Sequence, residues 1–156
     1  MRMDPVRALG VSLYITELIG TTIHTLHTLK GIFEDADLTI RQFIGQLSTI
    51  KAALSQIQDW AAYNADSSPQ VQEFMDGLET SLAGCREAIV VLSDHVDKLA
   101  AGAKNELKAV ATSPRAVWDE SLMQEHQARL SLQAQALQLV LTASQWYGIH
   151  PSPKKK

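Results

Sequence analysis

Histidine, cysteine and carboxylate side chains are the groups of this 156-residue chain that could move protons, hold a metal or act as a nucleophile. His24 and His27 stand three apart, a spacing that lets neighbours on a helix face the same way and share a metal ion. At 100° per residue, however, His27 lies about 60° from His24, toward the boundary of the polar face, and no third ligand accompanies them. Both read as solvated or bundle-edge imidazoles. His95 and His126 read as boundary residues satisfied by water or backbone. Cys85 is the single cysteine, so it can form no internal disulfide and supply only one thiolate to a metal. It falls within an apolar stripe and reads as a small buried hydrophobe, because adjacent Arg86 points to another face and cannot activate it.

Larger motifs are missing. The chain contains no Gly-x-x-x-x-Gly-Lys phosphate loop, no His-Glu-x-x-His helix, no Gly-x-Ser-x-Gly elbow and no acidic calcium loop. The sequence thus predicts no catalytic residue, no cofactor site and no metal site. A formal charge of −3 gives no footprint for nucleic acid, and three of the 14 basic residues are the terminal Lys154, Lys155 and Lys156. That short basic run reads as a flexible solubilising terminus. Met1 to Asp4 lacks the pattern of a secretory signal, which points to the cytoplasm. Trp60, Trp118 and Trp146 fall at or near expected helix ends and read as residues that seal a core. Trp146-Tyr147 beside the lysines could also rest at a membrane interface.

The elements that would position these groups are helices. The fold class is all-α, an up-and-down bundle of about four long helices in one domain over residues 1–150, followed by a disordered Lys-rich tail over 151–156. Asp4-Pro5, Ser68-Pro69 and Ser113-Pro114 are helix starts, since proline lacks the N–H that the first turn leaves unpaired and the preceding residue can cap. The acidic cluster Glu34-Asp35-Ala36-Asp37 marks a fourth start, with Asp35 or Asp37 as cap. In the second helix Ile40, Phe43, Ile44, Leu47, Ile50, Leu54, Ile57 and Ala61 share one face, while Arg41, Lys51, Ser55 and Asp59 fall away from it. In the third, Met75, Leu78, Leu82, Cys85, Ile89, Leu92, Val96 and Leu99 alternate steps of three and four. The short connection Tyr63-Asn64-Ala65-Asp66-Ser67 predicts an antiparallel hairpin of helices two and three. Ala100 to Thr112 is weakly periodic and reads as a frayed continuation or a looser connection. The fourth helix is expected from about Arg115 to Trp146, with Trp118, Leu122, Leu130, Leu137, Val140 and Leu141 inward, and Gly148 and Pro151 stop it.

The first helix raises a separate question. Between Arg7 and Lys30 lie 22 residues with one formal charge, Glu17, long enough to span a bilayer. Val11, Ile15, Leu18, Ile19, Ile23, Leu26, Leu29 and Phe33 occupy one arc, whereas Glu17, Thr21, His24 and Thr28 form a narrow polar stripe opposite. Lipid on all sides would have no use for that stripe, and Glu17 near midspan costs about 2.5–3.5 kcal/mol on insertion scales. The segment reads as an amphipathic bundle helix. A second reading has it leave the bundle and enter a bilayer as an oligomer, polar stripe inward.

Met3-Asp4-Pro5-Val6-Arg7-Ala8-Leu9-Gly10-Val11 resembles the opening of HeLo-like N-terminal domains of fungal STAND and NLR-type receptors. Asp35 to Ile40, Ile44 to Leu54, Ser81 to Cys85, Val117 to Ser121 and Leu137 to Leu141 are similar to later blocks of that family, in the same order. The resemblance covers about residues 3–146. It implies a non-catalytic helical signalling module, involved in self/non-self recognition or programmed cell death. Its partners would be homologous helical domains or a receptor protein in trans, with self-association to a homo-oligomer. The resemblance also implies the alternative of a membrane-active death effector that inserts its N-terminal helix at a membrane surface. The chain departs from the family plan in having no receptor module after the helices, and Glu17 interrupts the insertion helix.

Overall fold

The computed structural model describes residues 4–63, 69–108 and 118–146. Four helices make it up, and no strand occurs among the described residues: α1 (Pro5–Lys30), α2 (Asp37–Tyr63), α3 (Pro69–Lys108) and α4 (Glu120–Trp146). The chain is all-α, as the periodicities require.

Proline and acidic residues set the helix starts. The Asp4 carboxylate accepts a hydrogen bond from the Arg7 backbone N–H at 2.8 Å, and Pro5 opens α1 behind it. After Lys30 the backbone N–H groups of Gly31, Ile32 and Phe33 donate back to the last carbonyls of the helix. A single 3-10 turn, Glu34–Ala36, then leads directly into α2. Asp37 does not stand as a free cap there: its carboxylate meets Arg41 at 2.7 Å and Lys30 at 3.6 Å, which pins the α1–α2 corner. These exposed pairs contribute about 0–1 kcal/mol each.

The helices alternate in direction. Thr16 faces Gln58 and Lys30 faces Asp37, so α1 and α2 are antiparallel; His95 faces His126 and Gly84 faces Gln133, so α3 and α4 are too. Helices α1 and α3 run parallel, with Tyr14 beside Arg86 and Thr25 beside Asp97. So do α2 and α4, with Thr39 beside Glu120 and Gln46 beside Gln127. The packed pairs are α1–α2, α1–α3, α3–α4 and α2–α4, which puts α2 and α3 at opposite corners. The expected α2–α3 hairpin is therefore not a packed pair along its length. The two helices meet at one end, where Trp60 and Phe74 stack edge to face at 4.7 Å. Six steps of extended chain reach roughly 20 Å, more than the ~14 Å diagonal of a bundle with 10 Å sides, so a short connection permits this arrangement.

The core fills the space between the four helices. All eight residues of the α3 stripe, Met75 to Leu99, are buried, and so are seven of the eight on α2, Ile44 being half-buried. The opposite end of the bundle is closed by Phe33 and Trp118, whose rings lie 5.6 Å apart. Trp60 and Trp118 thus seal opposite ends, as their positions in sequence suggest.

Helix α4 differs from the expectation. It begins at Glu120 rather than near Arg115, because Asp119 is the cap: its carboxylate accepts from the Leu122 N–H at 3.1 Å. Trp118 precedes the helix and Leu122 is half-buried, whereas Met123 and His126 are buried. The inward row is Met123, His126, Leu130, Leu137 and Leu141. Helix α3 continues through Lys108, past the point where its periodicity weakens. The expected caps Ser68 and Ser113, the start at Pro114, the residues Ala109 to Thr112, the side chain of Trp146 and the stop signals and tail over 147–156 lie outside the described residues.

Candidate functional site

The apolar arc of α1 lies in the core. Ile15, Ile19, Leu26 and Leu29 have no exposed surface, while Val11, Leu18 and Ile23 are half-buried and pack against the same cluster. Glu17, Thr21, His24 and Thr28 are exposed, as the polar stripe predicts. The buried arc also takes in Ala8, Ser12 and Thr22. Ser12 and Thr22 cost little there, because each hydroxyl donates to a carbonyl of its own helix: Ser12 to Leu9 at 3.1 Å and Thr22 to Leu18 at 2.8 Å. Thr21, Thr25 and Thr28 bond their preceding turns in the same way. Pro5–Lys30 is long and apolar enough to cross a membrane, and a core helix of a folded bundle passes the same test.

Two histidines that the sequence places at a boundary meet instead. The His95 Nδ1 and His126 Nε2 atoms are 3.0 Å apart across the α3–α4 seam, a hydrogen bond between rings tilted by 46°. His126 is 3% exposed and its Nδ1 has no partner. Burial lowers the pKa of both imidazoles. For His95, Asp119 works against that shift and Lys98 with it. For His126, the neighbouring His95 and Arg129 lower it further and Glu125 opposes them. The signal for His126 was present in the sequence, since Met123, His126 and Leu130 are spaced three and four apart. Centring the helix on Leu122 hid it.

The remaining chemistry-bearing groups do not converge. No cluster of three or more His, Cys, Asp or Glu residues that could hold a metal occurs among the described residues. Cys85 is buried, and burial pushes its thiol up to about 12, so it stays protonated and unreactive at neutral pH. At the end of the bundle Glu120 ties α4 to α2 and to the residue preceding α4, accepting from the Thr39 hydroxyl at 2.6 Å and from the Trp118 indole N–H at 2.7 Å. That is a structural junction between α2 and α4.

The outer surface offers a groove of about 750 Å³ between the parallel helices α2 and α4. Gln42, Gly45, Gln46, Gln127, Ser131 and Gln135 line it, and none of its lining residues is charged. The Gln127 amide donates to the Gln42 carbonyl oxygen at 2.9 Å, and the Gln46 amide to the Ser131 hydroxyl at 3.0 Å and the Gln127 backbone carbonyl at 3.2 Å. Gln46 Oε1 is buried without a partner there, but neutral amides and hydroxyls supply neither a general base nor an activated nucleophile. They do supply donors and acceptors for another polypeptide. Exposed apolar side chains stand elsewhere on the bundle: Leu132 and Leu139 on α4, and Val6, Leu13 and Tyr14 on the outer face of α1. No protein-family model, curated protein or solved structure matches the chain.

Proposed function

We propose that this chain is a non-catalytic helical interaction module that docks a homologous helical domain, or a receptor carrying one, through its outer helix faces. Its cellular role on this reading is signalling in self/non-self recognition or cell death, as the resemblance to the N-terminal domains of fungal NLR and STAND receptors implies, with the cytoplasm as the place the N-terminal residues suggest. The observation that carries the reading is the split of α1. Its apolar arc is consumed by the core, while exposed apolar and amide-bearing surface remains on α1, α2 and α4, where a second domain can reach it. Sedimentation velocity and pull-down with homologous domains test it. A complex or a self-associated species supports the reading, and a strict monomer that captures no homologous domain refutes it.

A second reading, the membrane-active effector, is favoured by one observation: the Ser and Thr hydroxyls of α1 are already bonded to their own helix. That lowers the cost of moving the helix into lipid. Removing residues 1–30 would not test this cleanly, because α1 supplies much of the core and its loss would unfold the bundle. A tether is better. Thr16 and Gln58 are hydrogen-bonded across α1 and α2 at 2.9 Å. Cysteines at these positions in a Cys85→Ala background, joined by a short bis-maleimide, would hold α1 in place. Dye release from anionic liposomes by the free chain, abolished by the tether, would support insertion; equal release with and without the tether would remove α1 from the mechanism.

A further inference from the structure

We infer that His95 and His126 form an acid-sensitive joint between α3 and α4, one that a single proton is enough to disrupt. The argument starts from counting protons. The contact between His95 Nδ1 and His126 Nε2 holds one proton, whichever nitrogen carries it. In the neutral pair one further proton remains, and it can sit on either outer nitrogen. On His126 Nδ1 it would be a buried N–H without an acceptor, because that atom has no partner. The outer proton therefore sits on Nε2 of half-exposed His95, and His126 donates through Nε2 to His95 Nδ1.

A charged pair has no such freedom. With three protons on four nitrogens and one shared in the contact, both outer nitrogens must be protonated. His126 Nδ1 then becomes an unpaired, buried donor, whichever ring carries the charge. Keeping the contact and accepting the proton are incompatible unless the seam opens to give Nδ1 an acceptor.

The charged surroundings do not relieve this. Asp119, preceding α4, and Lys98 on α3 face His95 with opposite signs, and Glu125 and Arg129 on α4 act on His126 with opposite signs. Helices α1 and α2 present no buried titratable side chain. Acid thus loosens the seating of α4 on α3, beside Met123 and Leu130, which are buried in the core.

The sign follows from linkage. Both native imidazoles resist protonation, whereas the unfolded chain binds protons near the ordinary histidine pKa of about 6.5. Stability contributed by the neutral pair is complete above that pH and is lost as pH falls below it. At pH 5.5 a fully excluded proton lowers the folding constant about ten-fold relative to pH 7.5, so about a hundred-fold is the ceiling for the pair.

Urea unfolding at pH 7.5 and 5.5 measures this in the wild-type chain and two variants. In His126→Gln the amide can donate to a neutral His95 Nδ1 and turn its oxygen to accept from a protonated one, so only the burial of His95 still resists the proton and the loss should fall to about ten-fold or less. In His95→Asn the amide oxygen can replace Nδ1 as acceptor, His126 stays unable to take a proton, and about ten-fold should remain. The imidazole resonances of the wild-type chain report independently of any variant: His126 should stay neutral down to pH 5.5 while the fold persists. The joint is refuted if His126→Gln keeps the wild-type pH dependence, or if His126 takes up a proton near pH 6.5 in a bundle that remains closed.

Discussion

Replacing Leu26 by alanine is the sharpest probe of whether α1 belongs to the core. Leu26 has no exposed surface and sits in the cluster with Ile19 and Leu29. The substitution removes three buried carbons, about 2.4 kcal/mol by transfer at roughly 0.8 kcal/mol each, and the cavity left behind raises the loss to about 3–4 kcal/mol. Domains of this size have total stabilities of about 5–15 kcal/mol, so the variant should still fold. With a urea dependence of about 2 kcal/mol per molar, the unfolding midpoint falls by roughly 1.5–2 M. Glu17→Gln, on the exposed stripe, is the control and should shift the stability by no more than about 0.5 kcal/mol. The assay is equilibrium unfolding followed by helical circular dichroism at pH 7.5. A Leu26→Ala midpoint within about 0.5 M of wild type would mean that α1 does not contribute to the folded interior, and the packing account would fail.

Further expectations concern single contacts. Asp4→Ala removes the cap of α1 and should cost about 0.5–2 kcal/mol, seen in the same unfolding assay. Gly77 lies within α3 with open space where a Cβ would go, so Gly77→Ala should raise stability by about 0.5–1 kcal/mol. Cys85 should resist a thiol reagent at pH 8 until the chain is unfolded. Because its native pKa is raised, stability should decline as pH rises above about 9, the range in which only the unfolded thiol ionises. Glu120→Ala removes the acceptor shared by the Thr39 hydroxyl and the Trp118 indole at a site water can reach, and should cost about 0.5–1.5 kcal/mol in the same assay.

What could be read in advance followed from periodicity. The α3 row from Met75 to Leu99 and the α2 row from Ile40 to Ala61 named the core because three-and-four spacing reports directly on which face is dry. Periodicity says nothing about which neighbour that face meets, so the diagonal placement of α2 and α3 was not legible. The α4 start lies at Glu120 rather than near Arg115 because the Asp119 carboxylate takes the Leu122 N–H, a cap that helical periodicity does not reveal. The histidine pair needed two facts at once, the rotation of α4 and its register against α3. Ser12 and Thr22 are polar and so escape an apolar periodicity, yet they are internal because their hydroxyls bond within the helix.

The central claim, docking through outer faces while α1 stays in the bundle, is tested most directly by one sedimentation velocity comparison. The chain tethered between residues 16 and 58 is mixed with a homologous helical domain, beside an untethered sample at equal concentration. The account predicts the same faster-sedimenting complex in both samples. A complex that forms in the untethered sample and disappears in the tethered one would contradict it, because binding would then require α1 to leave its place among the helices.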